Sequence, residues 1–173
     1  MRTIFLNILV LLSLSLTPFP AFSQQPIQDS LLGHMSGKWL PKGTIEGKET
    51  THDIVTEWVL GHEYIQIKEV SREKNANGKP VYDAIVYIGL NKDLTEYSCL
   101  WLDNTGSNGL NAQAFGHAKR NGNKLEFQFK ITDNSIFHTT FTYNPQEDSW
   151  QWTMDDEENG KWQSFAKMKL TKE

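Results

Sequence analysis

The sequence predicts an all-β protein: a single antiparallel, up-and-down β-barrel of about ten strands with a short N-terminal helix. Three observations carry this. From Thr56 to Lys68 apolar and polar residues alternate on both sides of a Leu60-Gly61-His62 break, which makes two strands and a tight turn, because a helix cannot satisfy a period of two. Asn-Gly pairs recur at Asn77-Gly78, Asn108-Gly109, Asn121-Gly122 and Asn159-Gly160, and this dipeptide suits the positive backbone angles of a type I′ hairpin. No segment after Trp39 carries a helical period. The short links put consecutive strands side by side, and closing the sheet removes edges that an exported chain would otherwise expose.

At the N-terminus, Arg2 precedes an apolar run from Ile4 to Leu16 that falls short of the roughly 20 residues needed to span a bilayer. Pro18 and Pro20 break it, and Ala21-Phe22-Ser23 forms a small-x-small cleavage pattern. Residues 1–23 are therefore expected to be a secretory signal peptide and 24–173 the barrel domain, with no integral membrane segment after the signal is removed. The expected location is periplasmic or extracellular.

Next, Asp29 or Ser30 is placed to cap a short helical turn carrying Leu31, Leu32 and Met35. A first strand is expected over Lys38 to Ile45. The middle strands, Val81 to Leu90 and Leu94 to Asp103, are apolar on both faces and are expected to lie deepest. Leu125, Phe127, Phe129 and Ile131 alternate with polar residues as a half-buried strand. Phe137, Thr139, Phe141 and Tyr143 continue one face, with His138 on the solvent side. Trp150, Trp152 and Met154 follow, and Trp162, Ser164, Ala166, Met168 and Leu170 form the last strand.

The formal net charge is −4, and loss of Arg2, the one charged residue of the signal segment, makes it −5. A mildly acidic chain without a Lys/Arg run matches phosphate backbones poorly, so no nucleic-acid partner is expected. Cys99 is the single cysteine, which excludes an intrachain disulfide and makes it a small apolar strand residue.

The segments Leu31-Leu32-Gly33 and Gly37-Lys38-Trp39 resemble the opening of lipocalin-like, or calycin, barrels, where a short helix leads to a Gly-x-Trp at the first strand. T-E-W-V-L-G-H-E-Y-I from Thr56, Y-D-A-I-V-Y-I-G-L-N from Tyr82 and C-L-W-L-D from Cys99 are similar, in this order, to a bacterial group within that fold, the "domain of unknown function fifteen seventy-nine" proteins. The chain departs from that group at Ile88-Gly89-Leu90-Asn91, where Gly-Tyr-Asp is usual, and at Gly61-His62. It also lacks the Gly-x-Trp-x-Gly-x-Gly opening of haem-binding barrels, so no haem, and no other cofactor, is expected.

Motif chemistry is sparse. Histidines 34, 52, 62, 117 and 138 make no H-x-H or H-x-x-x-H pair, so the sequence offers no preorganised metal site. His52 and His62 flank the first hairpin and could face one another across it, with Glu63 adjacent. Asp155 to Gly160 imitates a calcium loop but has Ala166 at the position of the bidentate Glu, so it reads as an acidic turn.

Six Trp, five Tyr and nine Phe remain, concentrated at alternating strand positions. A barrel of this size is wider than its own side chains readily fill. Trp58, Tyr87, Trp101, Phe141, Trp152 and Met168 are therefore expected to point inward and line a cavity for a small apolar or amphipathic ligand, with Asp83, Asp103 and Gln113 orienting one end. No catalytic residue is assigned. Two rival expectations are a barrel-based lyase, isomerase or hydrolase using His62 with Glu63, or Asp103, and an interaction protein with a filled core.

Overall fold

The computed structural model describes residues 29–91, 93, 95–106 and 110–173. The expected signal segment 1–23 and the Asn108-Gly109 turn lie outside them. A short helix, α1 (Ser30–Met35), is followed by β1 (Gly37–Ile45), β2 (Lys48–Glu49), β3 (His52–Val59), β4 (Tyr64–Ser71), β5 (Asp83–Leu90) and β6 (Tyr97–Asp103). A 3-10 turn at Ala112–Ala114 precedes β7 (Phe115–Ala118), β8 (Arg120–Asn121), β9 (Lys124–Thr132), β10 (Ser135–Asn144), β11 (Ser149–Glu158) and β12 (Lys161–Lys172).

Ten of these strands close into one antiparallel barrel, β2 and β8 being two-residue side pairings. Every neighbour is the next long strand in the chain, and the circle is completed by β12 on β1, from Trp39↔Lys172 to Ile45↔Ala166. An even strand count lets the first and last strands run antiparallel, so the meander closes without a crossover. Both residues of the Asn159-Gly160 turn have positive φ, 51° and 74°, as a type I′ hairpin requires.

Gly43 permits the closure. Its φ is 152°, and a Cβ there would lie 2.0 Å from the Lys167 carbonyl oxygen of β12, so only glycine lets the two backbones meet.

The inner face is continuous: Ile54, Ile65, Ile67, Val86, Ile88, Cys99, Phe127, Phe141, Trp152 and Met168 are all buried in one core. Three facing expectations need correction. β5 and β6 are not covered on both sides; Ala84, Val86 and Ile88 point in, while Ile85 and Tyr87 are half-buried on the outside, because a single rolled sheet has no second layer to cover that face. In β12, pairing with β11 steps from Met154↔Ala166 to Asp155↔Ser164, and this bulge inserts Phe165. Trp162 and Ser164 are thereby exposed, while Ala166, Met168 and Leu170 stay inside. His138 does face outward, yet it is buried at 3% exposure, with the Trp162 ring over it at 4.2 Å between centroids.

Helix α1 closes one end. Asp29 caps it by accepting from Leu32 N at 2.8 Å, and Leu31, Leu32 and Met35 are buried. Two indoles bolt it to the barrel: Trp39 Nε1 donates to Met35 O at 2.7 Å and Trp150 Nε1 to His34 O at 3.3 Å. Tyr97 donates its hydroxyl to the other Asp29 oxygen. No helix among the described residues is long and apolar enough to cross a membrane.

Two outcomes follow. Gly43→Ala is expected to cost about 2–4 kcal/mol in urea unfolding, since the clash is with the β12 backbone at Lys167 and Met168, which cannot swing aside as a side chain would. Burial, then the Asp29 contact, push the Tyr97 phenol up to about 12, above its value of about 10 in an unfolded chain. The protonated phenol therefore stabilises fully below pH about 10, and this contribution is lost as pH rises towards 12. Tyr97→Phe should flatten that alkaline limb of a stability-versus-pH curve.

Candidate functional site

At the end opposite α1, β3 begins with His52 and β4 ends with Glu69 and Ser71. The ladder pairs His52↔Ser71 and Ile54↔Glu69, so His52 and Glu69 are diagonal neighbours on the inner face, within reach of long side chains. His52 Nδ1 lies 2.6 Å from Glu69 Oε1, with exposures of 8% and 1%. The His52 ring stacks on Tyr82, centroids 5.7 Å apart and planes at 17°. Trp101 Nε1 donates to the Tyr82 hydroxyl at 3.1 Å. Burial, then the charges of Glu69 and Asp103, push the Tyr82 phenol up, so it keeps its proton and remains a donor.

From Trp101 the wall continues across the barrel. Its ring lies 5.8 Å from that of Trp152, and Trp152 stacks on Phe141 at 5.1 Å. Met168, opposite Trp152 on the ladder, completes this wall. Four of the residues expected to face inward, Trp101, Phe141, Trp152 and Met168, are thus brought together.

The others are not. Trp58 lies at the α1 end, half-buried, stacked on His62 at 5.9 Å. Tyr87 is on the outer face, where its hydroxyl accepts from Gln66 Nε2 at 2.8 Å. Asp103 spends one oxygen on its own loop, accepting from Thr105 N at 2.8 Å, Thr105 Oγ1 at 2.6 Å and Gly106 N at 2.9 Å. Gln113 is exposed and donates to Ile131 O at 3.1 Å, tying the 3-10 turn to β9. Asp83 is exposed.

The facing of His52 and His62 that their spacing allows does not occur. They sit at opposite ends of β3, separated by roughly 23 Å of extended chain, and His62 is exposed in the turn with a φ of 69°. Glu69 was the residue missed, though its position two and four residues beyond Ile67 and Ile65 already put it on their face.

The barrel interior is tightly filled. The free space beside Trp152, bounded by Met35, Trp39, Ile54, Phe141 and Trp150, amounts to about 10 Å³, room for no more than one water molecule. Among the described residues no three His, Cys, Asp or Glu side chains converge as a metal-ligand set. Burial pushes the Cys99 thiol up, which leaves it inert as a nucleophile.

Removing one partner of the buried pair strands the other. Glu69→Leu is expected to destabilise by about 3–5 kcal/mol, while the double replacement His52→Leu with Glu69→Leu should cost distinctly less; chemical denaturation of the three variants checks this. Compared with models of known protein families and with curated proteins, the sequence matches none.

Proposed function

We propose that the protein is an exported, lipocalin-like barrel of the "domain of unknown function fifteen seventy-nine" kind. On this reading it binds a small amphipathic ligand inside the barrel, towards the end opposite α1. The observation that carries it is the set of buried His52 and Glu69 with half-buried Tyr82 and Trp101, running into the aromatic wall of Trp152 and Phe141. Stability alone does not account for such a set. A buried polar pair such as His52 with Glu69 repays its desolvation poorly, and apolar residues of similar volume often do as well or better. Polar groups at one end of an apolar interior do suit a molecule with one polar and one apolar end.

The small free volume favours a second reading, an interaction protein with a filled core whose outer surface meets a partner. Titration with methyl cis-parinarate, a neutral ringless polyene ester that brightens in apolar surroundings, separates the two. Ligand binding inside the barrel is expected to give saturable enhancement at one site together with quenching of tryptophan emission, because Trp101 and Trp152 line the path. A linear, unsaturable response with unchanged tryptophan emission would leave only the filled-core reading.

A further inference from the structure

Two donors on the inner wall have no partner. Thr139 and Trp152 are exposed by 0% and 1%, yet Thr139 Oγ1 and Trp152 Nε1 make no hydrogen bond among the described residues. They are neighbours: the ladder pairs Thr139↔Met154 and Phe141↔Trp152, which sets Thr139 diagonal to Trp152 on the same face. Across the barrel Trp101, in contact with Trp152, has its own indole N–H satisfied by Tyr82. One side of the interior is therefore internally paired and the other offers an O–H and an N–H to nothing. Buried donors left this way are costly and uncommon.

We propose that Thr139 and Trp152 form the seat for a neutral oxygen acceptor, the carbonyl or hydroxyl oxygen at the end of a slim alkyl chain. This rests on the ligand-binding reading above and names the chemistry that the site takes. Neutrality follows from the surroundings. The His52 imidazole on the inner face already faces Glu69, no Lys or Arg among the described residues is buried, and an unpaired carboxylate there would be expensive. Slimness follows from the packing: the free space beside Trp152, about 10 Å³ and bounded by Met35 and Trp39 on the α1 side, holds at most one water, so a ligand enters only by moving side chains apart, and an alkyl chain displaces fewer of them than a ring.

The test uses 2-nonanone, nonane and nonanoate, each titrated by calorimetry into the full-length mature chain and into Thr139→Val, Thr139→Ser and Trp152→Phe. The wild type is expected to prefer the ketone by about tenfold over the alkane and over the anion, the size of one good neutral hydrogen bond. Thr139→Val and Trp152→Phe should each lose most of that preference, and Thr139→Ser should keep it. Without ligand, Thr139→Val should melt about 2–4 °C higher than wild type, since it removes an unpaired hydroxyl without changing the side chain's shape. A hydroxyl with a purely structural role would give a lower melting temperature instead. Equal binding of all three probes, or a destabilised Thr139→Val, overturns the acceptor seat while leaving the barrel as a binding module. Failure of the wild type to bind any of the three overturns both.

Discussion

The ladder between β1 and β12 is the interaction on which everything else depends. It joins strands almost the full length of the domain apart, from Trp39↔Lys172 to Ile45↔Ala166, and without it the meander is an open sheet with two raw edges. Closure removes those edges and also defines an inside, so that one of every two residues along ten strands must be accommodated there. At Gly43 the two backbones pass too close for a Cβ between them. The long-range nature of this contact also makes it entropically the most demanding to form, since the whole chain between its partners must be organised around it.

Once the barrel is closed, its interior has to be filled or left open. This chain fills it with large side chains: Trp150, Trp152, Phe127 and Phe141 are among the largest fully buried residues, and α1 contributes Leu31, Leu32 and Met35 to one end. The helix is fixed by backbone carbonyls of His34 and Met35 accepting from Trp150 and Trp39, so these indoles satisfy their N–H groups while burying their rings. Trp101 does the same through Tyr82. Trp152 is the exception, and the contrast among the four indoles isolates it as the place where the interior is chemically incomplete.

Much of the fold was legible in the sequence because period-two alternation and Asn-Gly turns are local signals. Leu125, Phe127 and Phe129 face inward as their spacing requires, and Asn159-Gly160 makes the turn its dipeptide favours. The candidate site was less legible because it depends on register and on bulges, which are not local. The inserted Phe165 moves Trp162 from the expected inner face to the outside. The near-uniform apolarity of β5 hid which side Tyr87 would take. Nearness in sequence offers His62 as a possible neighbour of His52, whereas the antiparallel ladder brings Glu69, one strand away, onto its diagonal.

His138 separates orientation from burial. It faces outward, as alternation requires, but Glu126 and Glu157 approach its two ring nitrogens at 3.3 and 3.1 Å, and Trp162 covers it. The Nε2 contact is an aligned hydrogen bond, whereas the Nδ1 contact lacks hydrogen-bond alignment, so the Glu157 side sets the direction of the ring. The same bulge that exposes Trp162 is what delivers it over His138, since a β12 strand of unbroken register would have turned that indole into the barrel. A single inserted residue therefore sets both the composition of the inner wall and the cover on the outer one, and inner and outer chemistry are coupled through register in a way that no segment of the chain carries by itself.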